Sequence, residues 1–128
     1  MVSRTERLRK LVEVQEQLKA FHEMRRATAL AEAAAARREA AELAARFDAP
    51  DSLTDLFPDL YARAVERALR RQDQKLASAR VEAGHVATQT ARTNMVERSW
   101  REALRQEERQ AGDRATLDAV ERTLVPRK

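Results

Sequence analysis

The chain has 128 residues, of which 36% are charged and only 4% aromatic, and its formal net charge is +4. This length allows one domain, and the abundance of Ala, Glu, Arg and Leu beside only two glycines favours long helices over sheets. The sequence contains no cysteine, which excludes a disulfide framework, a thiol nucleophile and a Cys-ligated metal site.

The hydropathy and charge patterns indicate where the protein works. No apolar run approaches the ~20 residues that span a bilayer, and the N-terminus lacks the apolar core of a secretory signal, so we expect a cytoplasmic protein. Residues 48–59 contain four aspartates and no base, whereas most other acids and bases interleave. Interleaved charges are typical of an exposed helix surface, so the high pI does not by itself indicate nucleic-acid binding.

The first predicted helix covers about residues 4–47. Ser3 and Glu6 have the spacing of a capping box, in which the Ser hydroxyl and the Glu carboxylate each satisfy a free backbone N–H. The apolar residues at heptad spacing are Leu11, Val14, Leu18 and Phe21, with Leu8 and Val12 beside them. Between residues 27 and 45 alanine predominates, so this half should form a good helix that buries little area.

A turn bounded by prolines is predicted at residues 48–58. Pro50 and Pro58 cannot lie inside a helix, and Pro58 suits the first turn of the next one. Ser52 or Thr54 could cap a short helical turn. The apolar side chains expected to close the open end of a helix pair are Leu53, Leu56 and Phe57.

The second predicted helix covers about residues 59–124 and carries an apolar stripe with alternating spacings of four and three residues. This stripe consists of Val65, Leu69, Gln72, Leu76, Ala79, Ala83, Val86, Thr90, Thr93, Glu97, Trp100, Leu104, Glu107 and Ala111. Such spacing is typical of a coiled coil, so the helix requires a partner. Gly84 and Gly112 are its weak points, and Gly112 could end it, with Asp113 capping a short final helix.

A short connection makes two long helices antiparallel neighbours, so the expected fold is an all-α coiled-coil hairpin of one domain. Counting outward from Phe47 opposite Pro58 predicts four partner pairs: Phe21 with Gly84, Leu18 with Val86, Leu8 with Glu97, and Arg4 with Trp100. Helix two then has no internal partner beyond Trp100. Apolar residues in that overhang predict an external partner.

Candidate catalytic and metal sites are weak. The register brings His22 close to His85, which is consistent with a metal pair, a pH switch or two polar residues at the helix interface. The sequence has no Gly-rich phosphate loop, zinc-protease motif or Ser nucleophile motif. Glu97 and Glu107 suit register devices, or places where the stripe opens, better than general acids. We therefore predict no enzyme activity, no cofactor and no metal.

The segment RLRKLVEVQEQLKA at residues 7–20, followed by an Ala/Arg/Glu-rich helix, a brief turn and a second long basic helix, resembles the FliJ-type flagellar export stalk proteins and their type III secretion counterparts. The resemblance implies a non-enzymatic cytoplasmic stalk, peripherally associated with the inner-membrane export apparatus. Its terminal end would enter the pore of a hexameric export ATPase, and its body would contact the cytoplasmic domain of the export gate and substrate chaperones.

Under this hypothesis the partner-binding residues are Arg4, Arg7, Leu8, Leu11, Trp100, Arg101, Leu104, Arg105, Leu117, Val120 and Leu124. Trp100 suits either a partner anchor or a cap over the end of helix one. An alternative is a homo-oligomerising scaffold that pairs through the alanines and the overhang. A nucleic-acid-binding arm is a third alternative that lacks interleaved aromatic residues; its bases would be Arg63, Arg67, Arg70, Arg71 and Lys75.

Overall fold

The structure, a computed structural model, describes residues 2–50 and 55–125. These residues form two helices, α1 at Arg4–Arg46 and α2 at Pro58–Leu124, and contain no strand. The predicted all-α fold with a longer second helix is confirmed. The predicted caps Ser52 and Thr54, and the apolar Leu53, lie outside the described residues.

The helix ends follow from local chemistry. The Ser3 hydroxyl accepts a hydrogen bond from the Glu6 N–H at 3.2 Å, which confirms the Ser half of the predicted capping box. α2 begins at Pro58, whose fixed φ suits a first helical position and whose missing N–H removes no helical bond. The Phe57 carbonyl accepts the first bond of this helix, from the Tyr61 N–H at 3.4 Å.

α2 continues without a break through both glycines to Leu124. The predicted alternative of a helix end at Gly112 is therefore wrong. A single glycine costs a helix only about 1 kcal/mol relative to alanine. The good helix formers on both sides of Gly112 outweigh that cost.

The chain packs as two compact units, and both helices contribute to each. The first, here called the terminal unit, comprises Met1–Gln17 and Thr90–Lys128; the second, the turn unit, is Leu18–Gln89.

In the turn unit the two helices are antiparallel, as predicted. Cross-helix ion pairs join Arg25 to Glu82, Glu32 to Lys75 and Glu39 to Arg71, so partners on α2 come earlier as those on α1 come later. The buried apolar side chains between the helices are all alanines: Ala29, Ala33, Ala36, Ala40, Ala68 and Ala79. Alanine allows two helix backbones to approach closely but buries little apolar area.

The predicted stripe of α2 is buried or half-buried from Val65 to Leu104 except at Leu69, but at alternate positions the most deeply buried residue lies one position earlier. Ala68 is fully buried and Leu69 is 45% exposed, and Glu82 and Gln89 are more deeply buried than the predicted Ala83 and Thr90. The remaining positions of the predicted stripe between Val65 and Trp100, such as Ala79 and Thr93, are buried or half-buried as expected. Because α1 presents alanines, the close contact favours small or partnered side chains over the larger leucines.

The predicted stripe of α1, in contrast, is wrong. Leu11, Val14, Leu18 and Phe21 are all exposed. The half-buried residues of this segment lie one position away: Leu8, Val12, Gln15, Lys19 and His22. Each of these two sets has heptad spacing, so hydrophobicity alone selected the wrong face.

Two local packing predictions are also wrong. A Cβ at Gly84 would meet nothing within 4 Å, so no ring of Phe21 fills that position. Leu56 and Phe57 were expected to close the end of the helix pair, but they are 70% and 50% exposed. Both residues lie in the turn, before α2 begins. At this end of the helix pair the ring of Phe47 instead contacts that of Tyr61, with centroids 5.7 Å apart.

The pairing in the terminal unit extends further along α2 than the sequence predicted. Buried Thr5 donates its hydroxyl proton to Glu107 at 2.6 Å, and Ala103 is buried, so α2 keeps a partner beyond Trp100. The count from the sequence began with Phe47 opposite Pro58, whereas the Phe47 ring contacts Tyr61. If the count starts from Tyr61 instead of Pro58, each residue of α1 is paired with a later residue of α2, as observed for Thr5 and Glu107.

Candidate protein-binding surfaces

A cluster of arginines, here called the arginine cluster, lies in the terminal unit. An open depression is lined by Arg4 from α1 and by Arg98, Ser99, Glu102 and Arg105 from α2. A neighbouring depression is lined by Asn94, Glu97, Arg98 and Arg101. Guanidinium groups bind carboxylates through paired N–H donors, so this surface suits an acidic partner.

Two of these arginines are already engaged within α2. Arg101 donates to Glu97 at 2.9 Å and Arg105 donates to Glu102 at 2.7 Å. The hydrogen bond from Arg105 is the main cause of the lowered pKa of Glu102. Within residues 2–50 and 55–125 no acidic group lies within ion-pair distance of Arg4 or Arg98, so these two carry the charge most available to a partner.

The predicted apolar contacts near this cluster are only partly accessible. Leu8, Trp100 and Leu104 are half-buried between the helix segments of the terminal unit, while Leu11 and Arg7 are exposed. The Trp100 Nε1 atom is buried and has no hydrogen-bond partner in the described part of the chain. Trp100 thus contributes mainly to the interior of the helix pair.

The last turns of α2 form a free end. Every described residue from 108 onward is exposed, including Leu117, Val120 and Leu124. Their spacing of three and four residues places these side chains on one helix face. No described residue covers this face, and because an apolar stripe of a helix normally packs against another element, it suits a binding partner.

A buried carboxylate in the turn unit was not identified from the sequence. Glu82 is 8% exposed; its Oε2 lies 2.8 Å from His22 Nδ1 and its Oε1 lies 3.0 Å from Arg25 Nε. The pKa of Glu82 is lowered, chiefly by the hydrogen bond with His22; burial, the next largest effect, raises it, and the positive charge of Arg25 lowers it further. A register placing Glu82 opposite His22 could have revealed this cluster.

The predicted proximity of His22 and His85 is confirmed. Their rings stack with centroids 4.9 Å apart. The Nδ1 atom of His22 is engaged in a hydrogen bond with the Glu82 carboxylate. No group of three or more His, Cys, Asp or Glu side chains able to hold a metal ion is found in the described ranges. The geometry fits a polar contact at the helix interface.

The bases proposed for nucleic-acid binding are largely paired with acids. Arg70 donates to Glu66 at 2.7 Å, Arg71 lies 3.0 Å from Glu39, and Lys75 pairs with Glu32. Pairing reduces the positive potential that phosphate binding requires. This surface therefore fits the third alternative poorly.

Neither helix, over its described residues, contains a stretch long and apolar enough to cross a membrane. Comparison of the chain with protein-family models, curated proteins and solved structures finds no match.

Proposed function

We propose that this chain is a non-enzymatic coiled-coil stalk of a flagellar or type III protein export apparatus. Its terminal unit would bind the pore of the export ATPase hexamer and link it to the export gate and substrate chaperones. The resemblance, one of pattern and size over most of the chain, suggests the identity of the partners, and the surfaces of the terminal unit supply the physical support.

The observation that carries this proposal is the combination of the free end and the arginine cluster in the same unit. Burial of Leu117, Val120 and Leu124 against a partner would contribute roughly 1.5–3 kcal/mol for each fully buried side chain. Arg4 and Arg98 would attract acidic loops before contact and orient the encounter.

The test is the double substitution Leu117→Asp and Val120→Asp in the full chain. Both side chains are exposed, so the helix pair should stay folded while binding to the ATPase, and with it export or motility, is weakened. A matched control is Ala115→Asp with Ala119→Asp, which places the same charges on the opposite face of the free end.

The control variant should retain binding, since its substitutions lie off the apolar stripe. Equal losses in both variants would show that added negative charge, and not the stripe, weakens the complex. Unchanged binding and export in the Leu117→Asp and Val120→Asp variant would refute the stalk proposal.

A homo-oligomerising scaffold is the second candidate, and the composition of the interior favours it. No large side chain is fully buried among residues 2–50 and 55–125, whereas Leu18, Phe21 and Met24 are exposed. A second copy could cover such residues. Under this alternative, light scattering would detect a lower mass for the Leu117→Asp and Val120→Asp variant, while any ATPase interaction stayed unchanged.

A further inference from the structure

The end of the turn unit carries an exposed apolar cluster, here called the tip patch, formed by Phe47, Leu56, Phe57 and Leu60. Leu56 is 70% exposed, Phe57 50%, Leu60 58% and Phe47 37%. A contiguous exposed apolar patch on a protein surface often marks an interaction site.

Three of these side chains, Leu56, Phe57 and Leu60, are at least half exposed. Leu56 and Phe57 precede the first helical residue, Pro58, and Leu60 lies in the first turn of α2 on an exposed position. The Phe47 ring touches Tyr61 edge-on, which ties the patch to the end of the helix pair. The patch thus adjoins the end of the helix pair, and the described residues of its unit leave its side chains largely exposed.

The charged residues within the segment that forms the patch, residues 47–62, are all acidic, and Arg46 and Arg63 lie directly outside it. Asp48, Asp55 and Asp59 are exposed beside it, and the sequence from residue 47 to 62 contains no Lys or Arg. An anionic membrane surface would be repelled by these carboxylates, and so would the same patch of a second copy. A partner with an apolar face and a basic border matches both properties.

We propose that the tip patch is a docking surface for a cationic amphipathic helix of another protein. The apolar face of that helix would cover Leu56, Phe57 and Leu60, and its Lys or Arg side chains would meet the three aspartates. This proposal does not rest on the export function, because the patch belongs to the turn unit and the stalk contacts belong to the terminal unit.

The probe is a synthetic helix of leucine and lysine, with leucines at spacings of three and four, titrated into the ¹⁵N-labelled full-length chain. Amide shifts should change at residues 47–49, 55–57 and 59–61 and not beyond residue 108. A scrambled peptide of the same composition should bind at least about tenfold more weakly, since it cannot present one apolar face. A leucine and glutamate helix should not bind.

Two variants define the roles of the apolar and charged groups. Leu56→Ser with Phe57→Ser should weaken binding about tenfold or more, because these side chains lie in the turn and their loss leaves the helices intact. Asp48→Asn with Asp55→Asn and Asp59→Asn should weaken binding several-fold at low salt and less at high salt. The matched control is Met24→Ser with Val81→Ser, which removes two similarly exposed apolar side chains of the same unit and should retain binding.

The proposal is overturned if the scrambled or acidic helix binds equally well, or if the control variant loses as much affinity as the Leu56→Ser and Phe57→Ser variant. It is also overturned if vesicles of anionic phospholipid bind the patch. Self-association that disappears in the Leu56→Ser and Phe57→Ser variant would assign the patch to a second copy and overturn it as well. Circular dichroism of each variant shows that the helices remain.

Discussion

Two neighbouring stretches of the turn unit hold the helices together by different means. Around Ala33 and Ala68 the interface consists of alanines, while around Glu82 it consists of a carboxylate bonded to His22 and Arg25. Alanine contacts have no directional preference and recur along the helix, so they permit close packing without defining which residues face each other. Hydrogen bonds to a buried carboxylate require particular partners. The alanine stretch therefore provides proximity, and the Glu82 cluster provides register.

The ion pairs beside the alanines add little to this division. Glu32, Lys75, Glu39 and Arg71 are about half exposed, and such pairs contribute roughly 0–1 kcal/mol. They favour the observed register without enforcing it.

The largest expected effect comes from filling the alanine contact. Ala68→Leu should reduce the free energy of unfolding by about 1–3 kcal/mol, because Ala68 is fully buried and a larger side chain forces the helices apart. Ala62→Leu, at an exposed position on the same helix, is the control and should change little. Thermal unfolding followed by circular dichroism measures both. Equal stability of the two variants would mean that close approach at Ala68 does not matter.

The second prediction concerns register and pH. Glu82→Gln should lower the melting temperature at pH 7 more than Glu66→Gln, which removes an exposed carboxylate paired only within α2. Since the pKa of Glu82 is lowered in the folded protein, its contribution is present above the unfolded value, about 4.3. That contribution is lost as the pH falls from there through the folded pKa.

Unfolding curves between pH 7 and pH 2 test this point. The parent chain and Glu66→Gln should lose stability on acidification more steeply than Glu82→Gln, which cannot ionise at position 82. Parallel curves for all three proteins would assign the acid sensitivity to other carboxylates and remove the basis for a register role.

The smallest expected effect is a gain. Gly84→Ala should stabilise the helix pair by up to about 1 kcal/mol, because a Cβ there meets nothing within 4 Å and alanine has the better helix propensity. Gly112→Ala is sterically as open, but it lies in the free end, whose local fraying is only weakly coupled to global unfolding. The midpoint of denaturant unfolding should therefore rise more for Gly84→Ala; the reverse order would show that the free end is coupled to the paired segments.

Much of the fold was predictable because its signals are local. Ser3, Pro58 and the heptad spacing define two helices and their ends without reference to the rest of the chain. The proximity of His22 to His85 followed from counting outward from the turn. The predicted proximity holds even though the true starting pair differs by a few residues from the one assumed.

The most deeply buried positions were not predictable from hydrophobicity. Leu69 and Ala68 belong to adjacent heptad sets, and the leucine is the more apolar residue, yet the alanine is buried. The choice depends on how closely α1 can approach, which is a property of the partner helix. Glu82 was missed for the same reason. A carboxylate is tolerated at a buried position only where partners such as His22 and Arg25 contact it, and His22 lies 60 residues away in the sequence. Of the candidate site, the exposure of Leu117, Val120 and Leu124 was foreseen, whereas the partial burial of Leu104, beyond the last predicted pair at Trp100, was not.

The position of Trp100 gives the protein a built-in optical reporter. It is the sole tryptophan of the chain, and its indole nitrogen is shielded from solvent without a hydrogen-bond partner among the described residues. Indole fluorescence moves to longer wavelength when water can relax around the excited ring, so emission from the folded chain should lie at shorter wavelength than emission from the denatured one. Opening of the terminal unit, or docking of a partner upon it, would then be visible in the emission of the unlabelled protein.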